Sequence, residues 1–254
     1  MIEVKGLSKR FGEVQVLTDI SATFRKGLVN QIIGKSGSGK SVLAKCIVGL
    51  HRPEEGKVLY EGHSFHEMEP DEKREIRQRI GMLFQGSALF DSLTVIENVM
   101  FPLRMFATMA KSEMEDRAQT CLKRVNILEK DDLFPAELSG GMQKRVGIAR
   151  AIAMNPQYLF CDEPNSGLDP QTSIVIDELI KEITDEFNTT TIVITHDMNS
   201  VMETGEHIIF IHDGRKWWEG SREELLNSDN EELNAFIFAS ALMRQVKAAM
   251  GGKS

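Results

Sequence analysis

A glycine-rich segment near the N-terminus constrains this chain more than any other feature of its sequence. Residues 34–41 read Gly-Lys-Ser-Gly-Ser-Gly-Lys-Ser and match the pattern G-x-x-x-x-G-K-S at every fixed position. A mostly apolar run, residues 28–33, precedes the segment, and residues 41–50 have helical character. Glycines let backbone amides turn inward around a phosphate, and the amides that begin the following helix point at the same anion. The pattern therefore predicts a strand, a phosphate-binding loop and a helix, with a nucleotide as ligand.

Two side chains of this loop have specific predicted roles. Lys40 is expected to contact the β- and γ-phosphates, and the Ser41 hydroxyl is expected to bind Mg²⁺. The alternative is a flexible loop with an unrelated lysine, which the flanking strand and helix disfavour. The residues predicted to bind the nucleotide here are Gly34, Lys35, Ser36, Gly37, Ser38, Gly39, Lys40 and Ser41.

A second apolar run, residues 158–161, ends directly in Asp162 and Glu163. Such a strand places carboxylates at the carboxyl edge of a sheet, where ligands of open α/β sheets bind. Asp162 suits the Mg²⁺ shell, and Glu163 suits a general base that polarises the attacking water. Two solvated loop acids are the alternative, and the phosphate loop in the same chain argues against it.

Size and composition limit the possible classes. The 254 residues carry a formal net charge of −8 and suit one large α/β domain, with or without a grafted subdomain. The negative balance argues against binding nucleic acid through phosphate contacts. Three unpaired cysteines, Cys46, Cys121 and Cys161, predict reduced thiols. We see no signal peptide and no apolar run of the roughly 20 residues that cross a bilayer, so another chain is expected to supply any membrane spans.

Strand and helix patterns alternate along the chain, which predicts a largely parallel sheet covered on both faces. Residues 92–132 are helical in pattern throughout and indicate an inserted helical subdomain at about 86–140. The predicted main domain spans 1–228, and residues 229–254 form a C-terminal helical extension. Its apolar stripe fits packing on its own domain as well as docking on a second subunit or an accessory protein.

Further motifs follow in a fixed order. Residues 138–142 resemble the signature motif of ABC-type ATPases, and Gln85 lies where that family has its Q-loop. Residues 166–169 resemble the D-loop, and His196 resembles the switch histidine. Phe11 lies where an aromatic residue stacks on adenine. Together these motifs span residues 11–196.

The resemblance implies a P-loop ABC-type ATPase fold, with a mostly parallel core sheet, an N-terminal antiparallel β subdomain and the inserted helices. It implies ATP and Mg²⁺ as cofactors. Ser139, Gly140 and Gly141 would bind the γ-phosphate of the ATP held by the opposite subunit, and Asp169 would cross the interface. The expected assembly is therefore a homodimer with two ATP molecules between the subunits.

The resemblance also assigns roles to three isolated residues. Gln85 would reach Mg²⁺ and the attacking water while its loop touches a partner, and His196 would hydrogen-bond the γ-phosphate. Phe11 would stack on the adenine. Met142 departs from the family pattern, in which glutamine is usual, and this removes a polar side chain near the ribose.

Residues 85–103, with part of the tail at 234–240, resemble MlaF-type ATPases. This similarity implies phospholipid transport across the envelope of double-membrane bacteria, with a membrane permease and a periplasmic Mce-type lipid-binding protein. The expected location is the cytoplasmic face of the inner membrane. The alternative is the ATPase of an importer for small polar solutes such as amino acids. A DNA-associated ABC-type ATPase is a remote alternative, because residues 86–137 lack the sustained heptads of a coiled coil.

Overall fold

The computed structural model describes residues 1–239, and within that range the chain forms ten β-strands and nine α-helices. The strands are β1 (Ile2–Phe11), β2 (Val14–Phe24), β3 (Val29–Ile33), β4 (Glu55–Tyr60), β5 (His63–Ser64), β6 (Ile80–Leu83), β7 (Tyr158–Asp162), β8 (Thr190–Thr195), β9 (His207–His212) and β10 (Arg215–Gly220). The helices are α1 (Lys40–Ile47), α2 (Pro70–Gln78), α3 (Val95–Phe106), α4 (Lys111–Arg124), α5 (Gly140–Ile152), α6 (Pro170–Phe187), α7 (Met198–Thr204), α8 (Arg222–Leu226) and α9 (Glu231–Ile237).

The core sheet has the strand order β10-β9-β3-β8-β7-β6. Neighbours from β9 to β6 pair in parallel, and β10 pairs antiparallel with β9 at one edge. Every residue of β3 and β8 is buried, as expected of parallel strands covered by helices on both faces. The prediction of a mostly parallel core sheet is confirmed.

A second sheet, of order β2-β1-β4-β5, is antiparallel throughout. Its strand β4 follows the glycine loop and α1 in sequence, yet it returns to pair with β1. Val58 and Tyr60 of β4 are buried, and the Tyr60 hydroxyl donates to the carbonyl of Ile47 at 2.9 Å. The antiparallel N-terminal sheet implied by the family resemblance is therefore present.

The helical insertion lies between β6 and β7. Helices α3 and α4 pack against α5 around a shared apolar core, and the described residues 86–140 contain no strand. Thr94 caps α3, because its hydroxyl accepts from the Glu97 amide at 3.4 Å while the Glu97 carboxylate accepts from the Thr94 amide at 3.1 Å. The boundaries at about 86 and 140 remain a prediction.

The three cysteines are buried and unpaired, as predicted. Burial raises the pKa of Cys161 to about 12 and that of Cys46 to about 11. It also raises the pKa of Cys121. These thiols are structural side chains, because little thiolate forms near neutral pH.

Helix α9 packs on the domain that precedes it. Leu233, Ile237 and Phe238 are buried in a cluster with Val201 and Phe210. The sequence predicts a helical extension over residues 229–254; α9 ends at residue 237, and residues 240–254 lie outside the described range. For residues 233–238 the apolar side faces the chain's own core. Among the described residues, none of the helices is long and apolar enough to cross a membrane.

Leu233→Ala should lower the free energy of unfolding by about 2–4 kcal/mol, because it leaves a cavity in a fully buried cluster. Ala235→Ser, on the exposed side of the same helix, is the matched control and should change stability by less than about 0.5 kcal/mol. Denaturant unfolding measures both. Equal stability of the two variants would mean that α9 does not belong to the folded core.

Candidate functional site

Four neighbouring strands bring the predicted site residues to one edge of the core sheet. In the parallel register, Ile33 of β3 pairs with Thr195 of β8, and Asp162 of β7 pairs with Ile194. Leu83 of β6 pairs with Cys161. The glycine loop, the two acids, His196 and Gln85 each follow the end of one of these strands. Glu163, His196, Gln85 and part of the glycine loop border a cavity of about 410 Å³, and Asp162 is not among its lining residues. Its walls consist of Val16, Ser36, Gly37, Gly39, Lys40, Ser41, Val42, Gln85, Glu163 and His196.

The glycine loop adopts a conformation that favours glycine at three positions. Gly34 has φ +150°, and a Cβ there would lie 2.2 Å from the carbonyl oxygen of Ile211. Gly37 has φ +80° and Gly39 has φ +101°, both in the left-handed region. A Cβ on Gly39 would also lie 2.6 Å from Leu17 Cδ2, whereas a Cβ on Gly37 would meet nothing within 4 Å. Helix α1 begins at Lys40, so its first amides face the loop. Strand, loop and helix occur in the predicted order.

Lys40 is folded back onto its own loop. The side chain is 6% exposed, and Nζ donates to the carbonyls of Gly34 at 2.8 Å and Lys35 at 3.0 Å. Burial lowers the pKa of Lys40, while Glu163 and Asp162 oppose that shift. The hydrogen-bond acceptors of this buried ammonium are neutral carbonyls, which do not neutralise its positive charge. The ammonium is therefore suited to bind an anionic ligand at this loop.

Ser41 and Asp162 fit a magnesium ion. The Ser41 hydroxyl donates to Asp162 Oδ1 at 3.2 Å, so two hard oxygen ligands, one from the start of α1 and one from the end of β7, meet at one point. Burial raises the pKa of Asp162, and a cation at this point would favour its ionised form. Within residues 1–239 no group of three or more His, Cys, Asp or Glu side chains is arranged to hold a metal by itself. Phosphate oxygens and water would therefore complete the shell, as is usual for Mg²⁺.

Glu163 and His196 form a pair at the mouth of the cavity. His196 Nδ1 lies 2.9 Å from the Glu163 carboxylate, and the side chains are 63% and 13% exposed respectively. Glu163 has φ +49°, a left-handed conformation that is costly for a residue with a side chain. The carboxylate predicted as base is thus fixed beside the residue predicted to contact the γ-phosphate.

The predicted signature motif lies elsewhere on the chain. Ser139 caps α5, because its hydroxyl accepts from the Met142 amide at 3.4 Å, and Ser139 and Gly140 are exposed. Asp169 caps α6 through the Thr172 amide at 3.0 Å, and its pKa is lowered by hydrogen bonds from Thr172. Neither group is among the described residues that line the cavity around Lys40. One chain therefore brings together only some of the residues that were predicted to contact ATP.

Phe11 is also outside this cavity. Its ring is 44% exposed and lies edge-on to His51 at 5.2 Å between centroids, with Lys9 Nζ 5.1 Å from the ring centre. Val16, which the sequence did not single out, is among the residues that line the cavity. The role of Phe11 as an adenine platform stays a prediction.

Two buried ionisable residues near the site escaped sequence reasoning. Lys144 on α5 is 4% exposed and donates to the carbonyls of Gln85 and Glu163. Asp177 on α6 is likewise 4% exposed, and it accepts from Asn165 Nδ2 and from the Ser200 hydroxyl, both at 2.8 Å. Isolated charged residues on helices are usually solvated, so no signal in the sequence marks them.

The comparisons with known proteins agree with this geometry. A family model described as ABC transporter matches residues 17–166. The chain is 38% identical over 236 residues to a probable ribonucleotide transport ATP-binding protein of Mycobacterium leprae, which covers 93% of this chain and 68% of the relative. It is 42% identical over 229 residues to a methionine import ATP-binding protein of Desulfitobacterium hafniense, covering 89% and 67%. The chain thus spans about two thirds of these curated relatives.

Solved structures give the same architecture. One is the dimeric, post-hydrolysis state of an ATP-binding cassette bound to ADP and Pi, with a TM-score of 0.80 and 36% identity over 87% of this chain and 99% of that one. Another is a component of a cbiONQ transporter complex from Clostridium perfringens, with a TM-score of 0.82 and 27% identity over 98% of each chain.

Lys40→Ala should weaken ATP binding by at least about 100-fold, because the triphosphate would lose a buried cation and its charge-assisted hydrogen bonds. Titration with a fluorescent ATP analogue measures this. Lys26→Ala, at an exposed position before β3, is the matched control and should bind as the parent does. Tight ATP binding by Lys40→Ala would contradict the assignment of this loop.

Asp177→Asn should stabilise the fold at pH 8 and not at pH 4. Burial raises the pKa of Asp177 to about 6, above the ordinary 3.8, so folding is favoured by the protonated form. That contribution is complete below pH 4 and is lost as pH rises through 6. The amide removes the cost of ionisation, about 1–3 kcal/mol at pH 8.

Urea unfolding across this pH range tests the sign. Asp116→Asn, at an exposed position on α4, serves as the control. A loss of stability in Asp177→Asn that is independent of pH would mean that the carboxylate is needed for its two hydrogen bonds in ionised form.

Proposed function

The chain belongs to the ABC transporter family, and from that premise we propose that it powers phospholipid transport across the bacterial envelope. Membership makes it an ATP-binding transport subunit that hydrolyses ATP with Mg²⁺. The proposal adds the roles of individual residues, the arrangement of two subunits and the transported substrate. The observation that carries the proposed residue roles is the convergence of four strand ends on the cavity around Lys40.

The proposed division of labour follows from the chemistry of each group. Lys40 would neutralise the β- and γ-phosphates. Ser41 and Asp162 would hold magnesium, which would supply further charge neutralisation. Glu163 accepts a proton from the attacking water as general base. His196, 2.9 Å from Glu163, is within reach of a γ-phosphate at the mouth of the cavity. Gln85 borders the same space.

We propose a homodimer in which each chain completes the other's site. The exposed N-terminus of α5 offers the Ser139 hydroxyl and the amides of Gly140 and Gly141 to an anion that its own cavity does not bring near. A phosphate on a second chain is the natural partner for these donors. The dimeric state of the solved relative bound to ADP and Pi supports this arrangement.

A separate apolar groove suits contact with a membrane permease. It measures about 370 Å³ and combines the loop after Gln85 with helix α3. Phe90, Phe84 and Phe106 are 42%, 38% and 43% exposed, and the Phe90 and Phe101 rings are 4.5 Å apart. Exposed aromatic side chains in a concave site are typical of helix-in-groove recognition. We propose that the permease inserts a helix with an apolar face here.

The substrate proposal rests on residues 85–103, whose resemblance to lipid-transport ATPases favours a phospholipid and a periplasmic Mce-type partner. A specific observation favours the alternative of a polar solute. The Desulfitobacterium relative, 42% identical, is named for methionine import. The ATPase alone makes no contact with cargo in either case, so the partner proteins decide the substrate.

Isolation of the complex from the native membrane separates these alternatives. Its ATPase activity is then measured in proteoliposomes with phospholipid acceptor vesicles or with methionine. The lipid proposal predicts an Mce-type lipid-binding protein in the complex and ATP-dependent transfer of a fluorescent phospholipid. A solute-binding protein with methionine-stimulated ATPase activity would overturn it.

Glu163→Gln should retain ATP binding, lose turnover by at least about 100-fold and accumulate as an ATP-bound dimer, because the base is removed while the phosphate contacts remain. Light scattering after size-exclusion chromatography, with and without ATP, detects the dimer. Glu178→Gln, an exposed change on α6, is the control. Normal steady-state turnover in Glu163→Gln would remove Glu163 as the base.

A further inference from the structure

Lys144 is a buried cation that none of the proposed roles uses. It lies on α5, one turn after the Ser139 cap, and only 4% of it is exposed. Its ammonium donates to the backbone carbonyl of Gln85 and, at 3.3 Å, to that of Glu163. The side chain thus joins the loop after β6 to the loop after β7. These two loops carry the proposed magnesium-facing amide and the proposed base.

Burial lowers the pKa of Lys144, and the nearby Asp162 and Glu163 oppose that shift. A neutral side chain would leave two buried carbonyls without this donor. Carbonyls of two separate loops are fixed by one cation, so the relative position of those loops depends on it.

Two further residues on α5 fix the loop after Gln85. Arg150 donates to the carbonyls of Ser87 at 2.5 Å and Ala88 at 2.6 Å. Gly147 lets the loop approach, because a Cβ there would lie 2.7 Å from Leu83 and 3.5 Å from Ser87. Ser87 and Ala88 have φ +61° and +47°, conformations that persist only where the surroundings enforce them.

The backbone of Glu163 also has a left-handed conformation that its surroundings must enforce. Its own φ is +49°, its amide donates to the Ile194 carbonyl at 2.9 Å, and its carbonyl accepts from Lys144. The backbone that aims the Glu163 side chain is therefore held from two sides, by β8 and by α5. Loss of the second contact frees this turn to relax away from the left-handed conformation.

We infer that Lys144 is a positioning residue for ATP hydrolysis. It holds the Glu163 turn and the Gln85 loop in a fixed position relative to α5, whose N-terminus carries Ser139. Movement of α5 towards a partner subunit would move both loops with it. This inference rests on the proposed roles of Gln85 and Glu163. It predicts that Lys144 governs turnover and leaves the affinity for ATP unchanged, because Lys40 and the glycine loop bind the phosphates.

The test compares Lys144→Met, Lys144→Arg and the exposed control Lys123→Met in the full chain. Steady-state hydrolysis gives kcat and KM, and titration with a fluorescent ATP analogue gives Kd. Lys144→Met should lower kcat by about 10- to 100-fold with Kd unchanged within about threefold, since small displacements of catalytic groups cost that much. Lys144→Arg, which keeps the charge and the donors, should recover most of kcat.

Hydrogen exchange gives a second, activity-independent measure. In Lys144→Met, peptides that contain residues 85–88 and 163–166 should exchange faster, while the peptide that contains residues 34–41 should not change. If Lys144→Met does not fold, Lys144→Gln, which keeps one donor and removes the charge, takes its place in both measurements.

The inference is overturned by wild-type kcat in Lys144→Met, by a parallel loss of kcat and ATP affinity, or by failure of Lys144→Arg to restore turnover. Glu163→Gln in the same assay separates this result from the proposed function. An inactive Glu163→Gln beside a normal Lys144→Met rejects only the role of Lys144. A fully active Glu163→Gln rejects the proposed base.

Discussion

The parallel register of β6, β7, β8 and β3 is the constraint on which the rest of the site depends. Because these neighbouring strands end at one edge, groups that are far apart in sequence meet around one small cavity. Each strand contributes one kind of chemistry there. The loop after β3 contributes backbone donors and a cation, the end of β7 two acids, the end of β8 a histidine, and the end of β6 an amide. The helices and the second sheet bury both faces of these strands and so keep the edge fixed.

The proposed phosphate donors Ser139, Gly140 and Gly141 are not among the residues that line this cavity. The N-terminus of α5 has free hydrogen-bond donors and is exposed, whereas the cavity around Lys40 is built without it. We propose that this helix end and the phosphate loop act on one nucleotide only when a second chain is present. Helix α5 also holds the two loops beside the cavity through Lys144 and Arg150. Because α5 contacts both loops, a displacement of α5 would also displace the turn that carries Glu163, the proposed base.

The sequence predicted those parts of the site whose chemistry lies in contiguous residues. The glycine loop and the acid pair at Asp162 each combine a strand pattern with an adjacent polar motif, and the alternation of strands and helices placed them at one edge. It did not predict Lys144 or Asp177, because their importance arises from burial between elements that are distant in sequence. It also could not decide where α9 packs, since an apolar stripe fits its own domain as well as a partner. The ring of Phe11 lies edge-on to His51, and its role as an adenine platform stays a prediction.

The central claim is that two chains share each ATP site, and a mixing experiment with two defective variants tests it most directly. Lys40→Ala removes the phosphate loop's cation, and Gly140→Asp places a carboxylate where the partner's phosphate would bind, at a position whose Cβ has room. Each variant alone should be inactive. In an equimolar mixture, half of the dimers are mixed, and each mixed dimer contains one intact site out of two. If the sites act independently, the mixture should recover about a quarter of wild-type ATPase activity. Absence of recovery, with mixed dimers present, or full activity of Gly140→Asp alone would contradict the shared site.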